Sequence, residues 1–224
     1  MISVIIPVYN SDKTLIEIKK KIQIQFENKF SYEIIFIDDG SINPETWKTI
    51  KSLTSKNVFA IKFSKNFGKH SAIMCGFEHA SGDYIITIDD DLDQDPSDIE
   101  KLLVKKEHDV VVAQYERNYN LLDKIFSKLK HLIDVVVFKN PKKIRMSPLK
   151  LIKKNVVKQI LKNKSNKVYL TGLIHESTND IESIFLGKKI INKHKSNFSF
   201  EKKIEIILRQ VFNYSLLPIK SFLA

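Results

Sequence analysis

The chain holds a single cysteine, Cys75, which excludes an internal disulfide and fits a reducing compartment. A small apolar residue on a helix is the simpler reading of Cys75, ahead of a catalytic thiol. The six histidines are scattered, with no HxxxH spacing and no Cys/His pairing, which speaks against a structural zinc site. Long hydrophobic runs are also missing. The longest, such as Val135 to Phe138, fall far short of a membrane span. The opening MISVIIPVYN has neither a basic leader segment nor a small-residue cleavage site. The expectation is a soluble, cytoplasmic protein, at most peripheral on the inner face of the cell membrane. Acids are absent from one long stretch. Between Lys139 and His175 the chain carries Lys139, Lys142, Lys143, Arg145, Lys150, Lys153, Lys154, Lys158, Lys162, Lys164 and Lys167 without one Asp or Glu. Such a stretch is either a solvated lysine-rich face or a surface for phosphates, an acidic membrane or nucleic acid.

What is present is a regular alternation. A chain of 224 residues with 43% hydrophobic content can bury one substantial core. "SVIIPV" is a continuous apolar run, as expected of a parallel strand covered on both faces. Ser11 is placed to cap a helix running to about Asn28, with Leu15, Ile18, Ile22 and Phe26 on one side. "YEIIFID", "NVFAIKFS", "DYIITID" and "DVVVAQY" supply four more strands. Helices with Trp47, Ile50 and Leu53, with Ile73, Met74 and Phe77, and from Pro96 to about Lys106 lie between them. Strand and helix in succession predict an α/β fold, a doubly wound, mostly parallel sheet with helices on both faces. From about Asn120 two amphipathic helices follow, one with Leu121, Leu122, Ile125, Leu129 and Leu132, the other with Val156, Ile160 and Leu161. "IFLGKKII" reads as a hairpin or strand pair. No second core is visible, so one domain with an α-rich C-terminal extension is expected.

In a doubly wound sheet ligands bind beyond the carboxyl ends of the strands, and "DDGS" and "DDD" fall there. Along an extended segment Asp89 and Asp91 share one side and Asp90 faces the other. Two carboxylates converging at a strand end make a hard, oxygen-only site for Mg²⁺ or Mn²⁺, with positions left open for phosphates. Asp93 is a candidate third ligand. Asp95 before Pro96 reads as a helix N-cap, and Asp98 as the second half of a capping box.

"VIIPVYN", "IIFIDDGS", "FSKNFGKHSAIMCGFEHASGDYIITIDDDL" and "HKSNFSF" occur in this order. Together they resemble the inverting glycosyltransferases of family 2, with the GT-A fold, and in particular the polyprenyl-phosphate branch that includes dolichol-phosphate mannose synthases. The resemblance is dense over residues 1–117 and thinner to residue 224. It implies a nucleotide-sugar-binding half at 1–117 and an acceptor-side half at 118–224, with an amphipathic C-terminal extension. "FNYSLLPIK" resembles the segment leading into that branch's membrane helices, which are not expected within residues 1–224.

The resemblance further implies that Pro7, Tyr9 and Asn10 line the base and ribose pocket and that Asp39 accepts from the base. It has Asp89 and Asp91 hold Mg²⁺ or Mn²⁺, Asp90 lie against the ribose, and Asn66, Gly68 and Lys69 edge the donor. Arg117 falls at a phosphate-binding arginine. The branch's Arg before the "NFG" turn is Lys65 here, its Gln after "DL" is Asp93, and its late Arg is Ile191, with Lys193 or Lys195 as replacements. The implied reaction moves a sugar from a nucleotide-diphosphate sugar, on the family's breadth a UDP-sugar, to a lipid phosphate, using Asp91, Lys69 and Arg117. An alternative is a family 2 enzyme acting on a sugar hydroxyl in surface polysaccharide or lipopolysaccharide assembly, with Glu176 or Asp180 as base. A nucleic-acid-binding module and an inactive scaffold are the readings from other classes. The basic stretch lacks the interleaved aromatics that stack bases, Tyr169 at its edge apart.

Overall fold

The computed structural model describes residues 1–116, 127–129, 131–132, 135, 144–163 and 169–188. Strands β1 (Ile2–Val8), β2 (Tyr32–Asp38), β3 (Val58–Lys62), β4 (Tyr84–Thr87), β5 (Val110–Glu116), β6 (Lys150–Lys153) and β7 (Ile181–Lys188) form one sheet in the order β3-β2-β1-β4-β6-β5-β7. β1 pairs in parallel with both β2 and β4, and β2 with β3. β6 runs antiparallel to β4 and β5, while β7 pairs in parallel with β5. The mostly parallel expectation holds, with one reversed strand.

Period-two alternation sends each strand's side chains to two cores. On one face Val4, Ile6, Val8, Phe36 and Ile86 pack with α1 (Leu15–Phe26), α2 (Pro44–Leu53) and α4 (Ile99–Leu102) through Ile18, Ile22, Ile50 and Ile99. On the other, Ile5, Ile35, Ile37 and Ile85 meet Ile73 and Phe77 of α3 (Lys69–His79), Val156 and Ile160 of α5 (Lys154–Lys162), and Ile174 of α6 (Leu170–Ser177). Every residue of β1 is buried, which is why it reads as an unbroken apolar run.

Several elements depart from expectation. Helix α1 starts at Leu15, not Ser11; the Ser11 hydroxyl pairs instead with that of Thr14 at 3.1 Å. The helix expected over Pro96 to Lys106 is broken into a 3₁₀ turn at Pro96–Asp98, the single turn α4, and a 3₁₀ turn at Leu103–Lys105. Asp95 does cap it, accepting from Ser97 N–H at 2.9 Å. Asp98 completes no capping box, because its carboxylate takes Lys101 Nζ at 2.7 Å and the Tyr115 hydroxyl at 2.9 Å. "IFLGKKII" begins as part of β7 rather than a hairpin, and its last residues lie outside those described. β6 was not expected: "KLIK" lies inside the basic stretch, yet Lys150 is buried. Lys153 Nζ donates to the Glu107 carbonyl at 2.6 Å and Lys154 Nζ to that of Ser81 at 2.8 Å. These lysines hold the fold together rather than offer a free cationic face. Lys139, Lys142, Lys143, Lys164 and Lys167 lie outside the described residues, as does most of the first amphipathic helix.

The amino edge of the sheet is closed by polar staples. Glu33, buried on β2, accepts from Ser3 Oγ at 2.6 Å and from Ser81 N–H and Oγ at 2.7 and 2.8 Å. Farther along, His108 Nδ1 lies 2.7 Å from Asp180, whose other oxygen accepts from Asp109 N–H at 3.0 Å. The hydrogen bond to Asp180 holds His108 above its ordinary pKa of 6.5, with Glu107 and Glu182 adding to it, and the same bond holds Asp180 below 3.8. A raised imidazole stabilises the fold below its unfolded pKa and loses that contribution as pH rises through the folded value; the depressed carboxylate loses its part as pH falls through its own. His108→Gln should therefore lower the melting temperature most at about pH 6 and little at about pH 9. Thermal melts of both proteins across that range check this.

Candidate functional site

Parallel pairing brings the carboxyl ends of β1, β2 and β4 to one edge, with Val8 opposite Asp38 and Ile5 opposite Thr87. The loops leaving these ends are tied to one another. Asn10 adopts a positive φ of 54°, its N–H donates to Ser41 Oγ at 2.9 Å, and its side-chain oxygen accepts from Ile42 and Asn43 N–H at 2.9 and 3.1 Å. Asn10 thus straps the β1 loop to the β2 loop. Pro7 is buried within β1 opposite Ile37, whereas Tyr9 is 44% exposed at the rim.

The acidic turn follows β4, which ends at Thr87, so Asp89 to Asp91 lie in a turn rather than on extended strand. Asp90 points to the β1 loop and accepts from Tyr9 N–H at 3.2 Å, while its carbonyl takes the Ser11 and Thr14 hydroxyls. Asp89 points to α3, where Lys69 Nζ lies 2.5 Å from its carboxylate. Asp91, exposed, accepts from Asp93 N–H at 2.9 Å and shapes the turn in which Leu92 has φ 57°. Burial, then the neighbouring Asp89 and Asp91 charges, push Asp90 up to about 7 against the opposing Tyr9 hydrogen bond.

Among the described residues no three His, Cys, Asp or Glu side chains converge as a closed metal cage. The donor set nonetheless fits an open site. Asp89 and Asp91 offer hard oxygens, and a cationic group already stands against Asp89. Phosphate oxygens from a ligand would complete such a shell.

Asp39 is buried, and its two oxygens accept from Phe67 N–H at 2.8 Å and Gly68 N–H at 2.9 Å. Burial raises its pKa; the two backbone hydrogen bonds oppose this. Asp39 thereby fixes the corner from which Lys69 starts α3. Gly68 has φ +94°, reserved for glycine in practice, with open space where a Cβ would stand. Gly40 has φ +67° and lies so close to the same loop that a Cβ would stand 2.3 Å from the Lys65 carbonyl carbon. Sequence reasoning passed over Asp38, Ser41 and Thr14. Asp38 is fully buried, accepts from Ser41 N–H at 2.9 Å, and leaves its other oxygen without a hydrogen bond, 3.9 Å from Lys62 Nζ. The doubled Asp of "DDGS" was its only signal, and nothing beyond position marked Ser41 or Thr14.

Arg117, Ile191, Lys193, Lys195 and "FNYSLLPIK" lie outside the described residues. Asp180, named as a candidate base, precedes β7 at the amino edge, where its carbonyl accepts from Val110 N–H, so it lies across the sheet from the acidic turn. Glu176 accepts from Asn163 Nδ2 at 2.7 Å.

A family model described as glycosyl transferase family 2 matches residues 3–164. The chain belongs to that family. Over 138 residues it is 36% identical to the undecaprenyl-phosphate 4-deoxy-4-formamido-L-arabinose transferase of Salmonella choleraesuis (strain SC-B67), covering 59% of this chain and 42% of that protein. The chain thus spans well under half of this relative's length. Among solved structures, a mycobacterial protein superposes with TM-score 0.70 at 14% identity, covering 96% of this chain and 74% of the other. Glucosyl-3-phosphoglycerate synthase from Mycobacterium tuberculosis, in complex with Mn²⁺, UDP and glucosyl-3-phosphoglycerate, gives TM-score 0.65 at 16% identity, with coverages of 96% and 80%. These likenesses establish the GT-A-like α/β fold.

Gly40→Ala should destabilise the protein by about 2–4 kcal/mol, since it adds both a strained φ and a backbone clash. Chemical denaturation of the two proteins measures this; equal stabilities would show that the 39–41 and 65–68 loops are not interlocked.

Proposed function

We propose that this protein is an inverting glycosyltransferase that moves a sugar from a nucleotide-diphosphate sugar, a UDP-sugar by the company of its structural neighbours, to a polyprenyl-phosphate-type lipid at the cytoplasmic face of the membrane. Residues 1–117 bind the donor, and 118–224 serve the acceptor. The observation that carries this reading is the convergence at one sheet edge of Asp89, Asp90 and Asp91, the Lys69 ammonium, and the Asp39-held corner. Asp89 and Asp91 would hold Mg²⁺ or Mn²⁺, which supplies positive charge to the departing diphosphate. Asp93 remains a candidate outer ligand.

The chain's own groups account for the rest. Lys69, rooted at the first turn of α3, reaches the edge with a point charge suited to phosphate, and the start of that helix favours anions. Tyr9, exposed at the rim, and Asp39, which follows the neighbouring strand β2, are the base-side groups; each Asp39 oxygen can accept a second hydrogen bond beyond those from Phe67 and Gly68. Asp90 comes from the β4 side and lies against the β1 loop, where the ribose would rest. Arg117, which follows β5, is the proposed second phosphate contact. As the bond from the anomeric carbon to the diphosphate oxygen breaks, that oxygen keeps the electron pair, and an acceptor oxygen bonds from the opposite face.

A lipid phosphate is ionised near neutral pH and needs no base, whereas a sugar hydroxyl needs a carboxylate to take its proton. Asp180 is engaged at the far edge with His108 and Asp109, which weakens the hydroxyl reading. The Salmonella relative's name, an undecaprenyl-phosphate transferase, supports the lipid reading from a separate direction. Among the described residues no helix is long and apolar enough to cross a membrane, so contact with the lipid would be peripheral in that part of the chain.

Asp91→Asn should reduce sugar transfer to a polyprenyl phosphate by at least about 10²-fold and leave the melting temperature unchanged. A thermal-shift panel of UDP-, GDP- and dTDP-sugars, each with and without Mn²⁺, should show stabilisation that needs nucleotide and cation together. Full activity in Asp91→Asn would refute the cation assignment.

A further inference from the structure

Lys69 is paired with the acidic turn. Its ammonium is 2.5 Å from an Asp89 carboxylate oxygen, with the lysine side chain 43% exposed and the aspartate side chain 19% exposed. The root of Lys69 is held firmly. Gly68 N–H is gripped by Asp39, the Gly68 carbonyl accepts from Ser71 and Ala72 N–H at 2.9 and 3.2 Å, and Ser71 Oγ donates to the Phe67 carbonyl at 3.0 Å. Only the four-carbon stem is left to move. A compact, half-exposed ammonium on a flexible stem is an exchangeable partner, since exposed ion pairs are weakly held.

We propose that Lys69 is the resident counter-ion of the acidic turn: it occupies the Asp89 seat until a divalent cation and a diphosphate arrive together, then transfers its charge to the phosphate. This rests on reading Asp89 and Asp91 as the cation's ligands. The cation alone must displace the ammonium, which loses its partner in the process. With a diphosphate present the ammonium gains a new anion within reach of its stem, and the same displacement becomes favourable. Cation and nucleotide therefore bind with positive coupling, and by linkage each tightens the other by the same factor. Asp39 is the positioning residue of this device, because it anchors the Phe67–Gly68 corner on which the stem pivots. The design suppresses occupation of the turn by stray divalent ions when no donor is bound.

The test is a Mn²⁺ titration of the full chain, followed by loss of the free-ion electron paramagnetic resonance signal, for the wild type, Lys69→Gln, Lys69→Arg and Asp91→Asn, each with and without UDP. Lys69→Gln should bind Mn²⁺ alone about tenfold more tightly than the wild type, the size expected from removing one competing charge at contact. Lys69→Arg, which keeps the charge, should match the wild type. UDP should tighten Mn²⁺ binding markedly in the wild type and far less in Lys69→Gln. If Lys69→Gln and wild type bind Mn²⁺ alone equally while Asp91→Asn loses it, the counter-ion role is overturned and the cation site stands. Equal coupling to UDP in the two proteins would likewise overturn it. If neither wild type nor Lys69→Gln takes up Mn²⁺ with or without UDP, the cation site falls and the proposal with it. Lys69 begins an exposed helix turn, and melting curves of both variants verify that each is folded.

Discussion

The site depends on one constraint: β1 is paired in parallel on both sides, so three chain segments must leave the sheet at the same edge. Burial of all seven β1 residues makes that arrangement hard to alter. A one-residue slip would turn Val4, Ile6 and Val8 into the core now occupied by Ile5. The consequence at the edge is a crowd of carboxylates, Asp38 at the end of β2, Asp39 just after it and Asp89 to Asp91 after β4. Like charges so close oppose folding unless each acid has its own partner. Asp38 takes Ser41 N–H, Asp39 takes Phe67 and Gly68 N–H, Asp90 takes Tyr9 N–H, and Asp89 takes Lys69. Most partners are backbone N–H groups of neighbouring loops. These acids are thus what locks the loops of this edge in place.

That double duty bears on which functional residues are legible in a sequence. The alternation of apolar runs and helical spacing made β1 to β5 readable, because each has enough residues to show its period. β6 hid itself. It has four residues, two of them lysines, and it lies in a stretch whose charge suggested a surface. Its burial follows from pairing between β4 and β5, a long-range fact that no local pattern carries. The direction of β7 was hidden for the same reason. The broken helix after Pro96 shows the converse failure: its spacing was right, but Tyr115 from β5 and Lys101 draw the Asp98 carboxylate away from the cap.

At the strand ends, the residue types were legible in the sequence and their partners were not. Asp89 meets Lys69 and Asp90 meets Tyr9 N–H, from a turn rather than from an extended strand. Asn10 and Asp39 were read as ligand contacts from resemblance. In the structure both first hold other loops, Asn10 through Ile42 and Asn43, Asp39 through Phe67 and Gly68. A residue type at a strand end is visible in one dimension; the backbone N–H it meets comes from a loop some thirty residues away, as the separation of 28 between Asp39 and Phe67 illustrates.

The two edges of the sheet also divide the chemistry. At the amino edge Glu33, Asp180 and Asp83 are matched to Ser3 and Ser81, to His108, and to the chain's own amino group at 3.0 Å, so their protons and lone pairs are committed to closing the fold. At the carboxyl edge the partners are weaker or replaceable: a half-exposed ammonium at Asp89 and a long 3.2 Å N–H contact at Asp90. A ligand bringing stronger partners can displace these without disturbing the strands beneath, which are fixed by their backbone pairing and by burial. Asp180 has no such freedom, since taking up a proton would weaken its contacts with His108 and Asp109, which tie the segment before β7 to the one before β5. Proton transfer from an acceptor hydroxyl is therefore poorly served by Asp180, while an acceptor that arrives already ionised asks nothing of it.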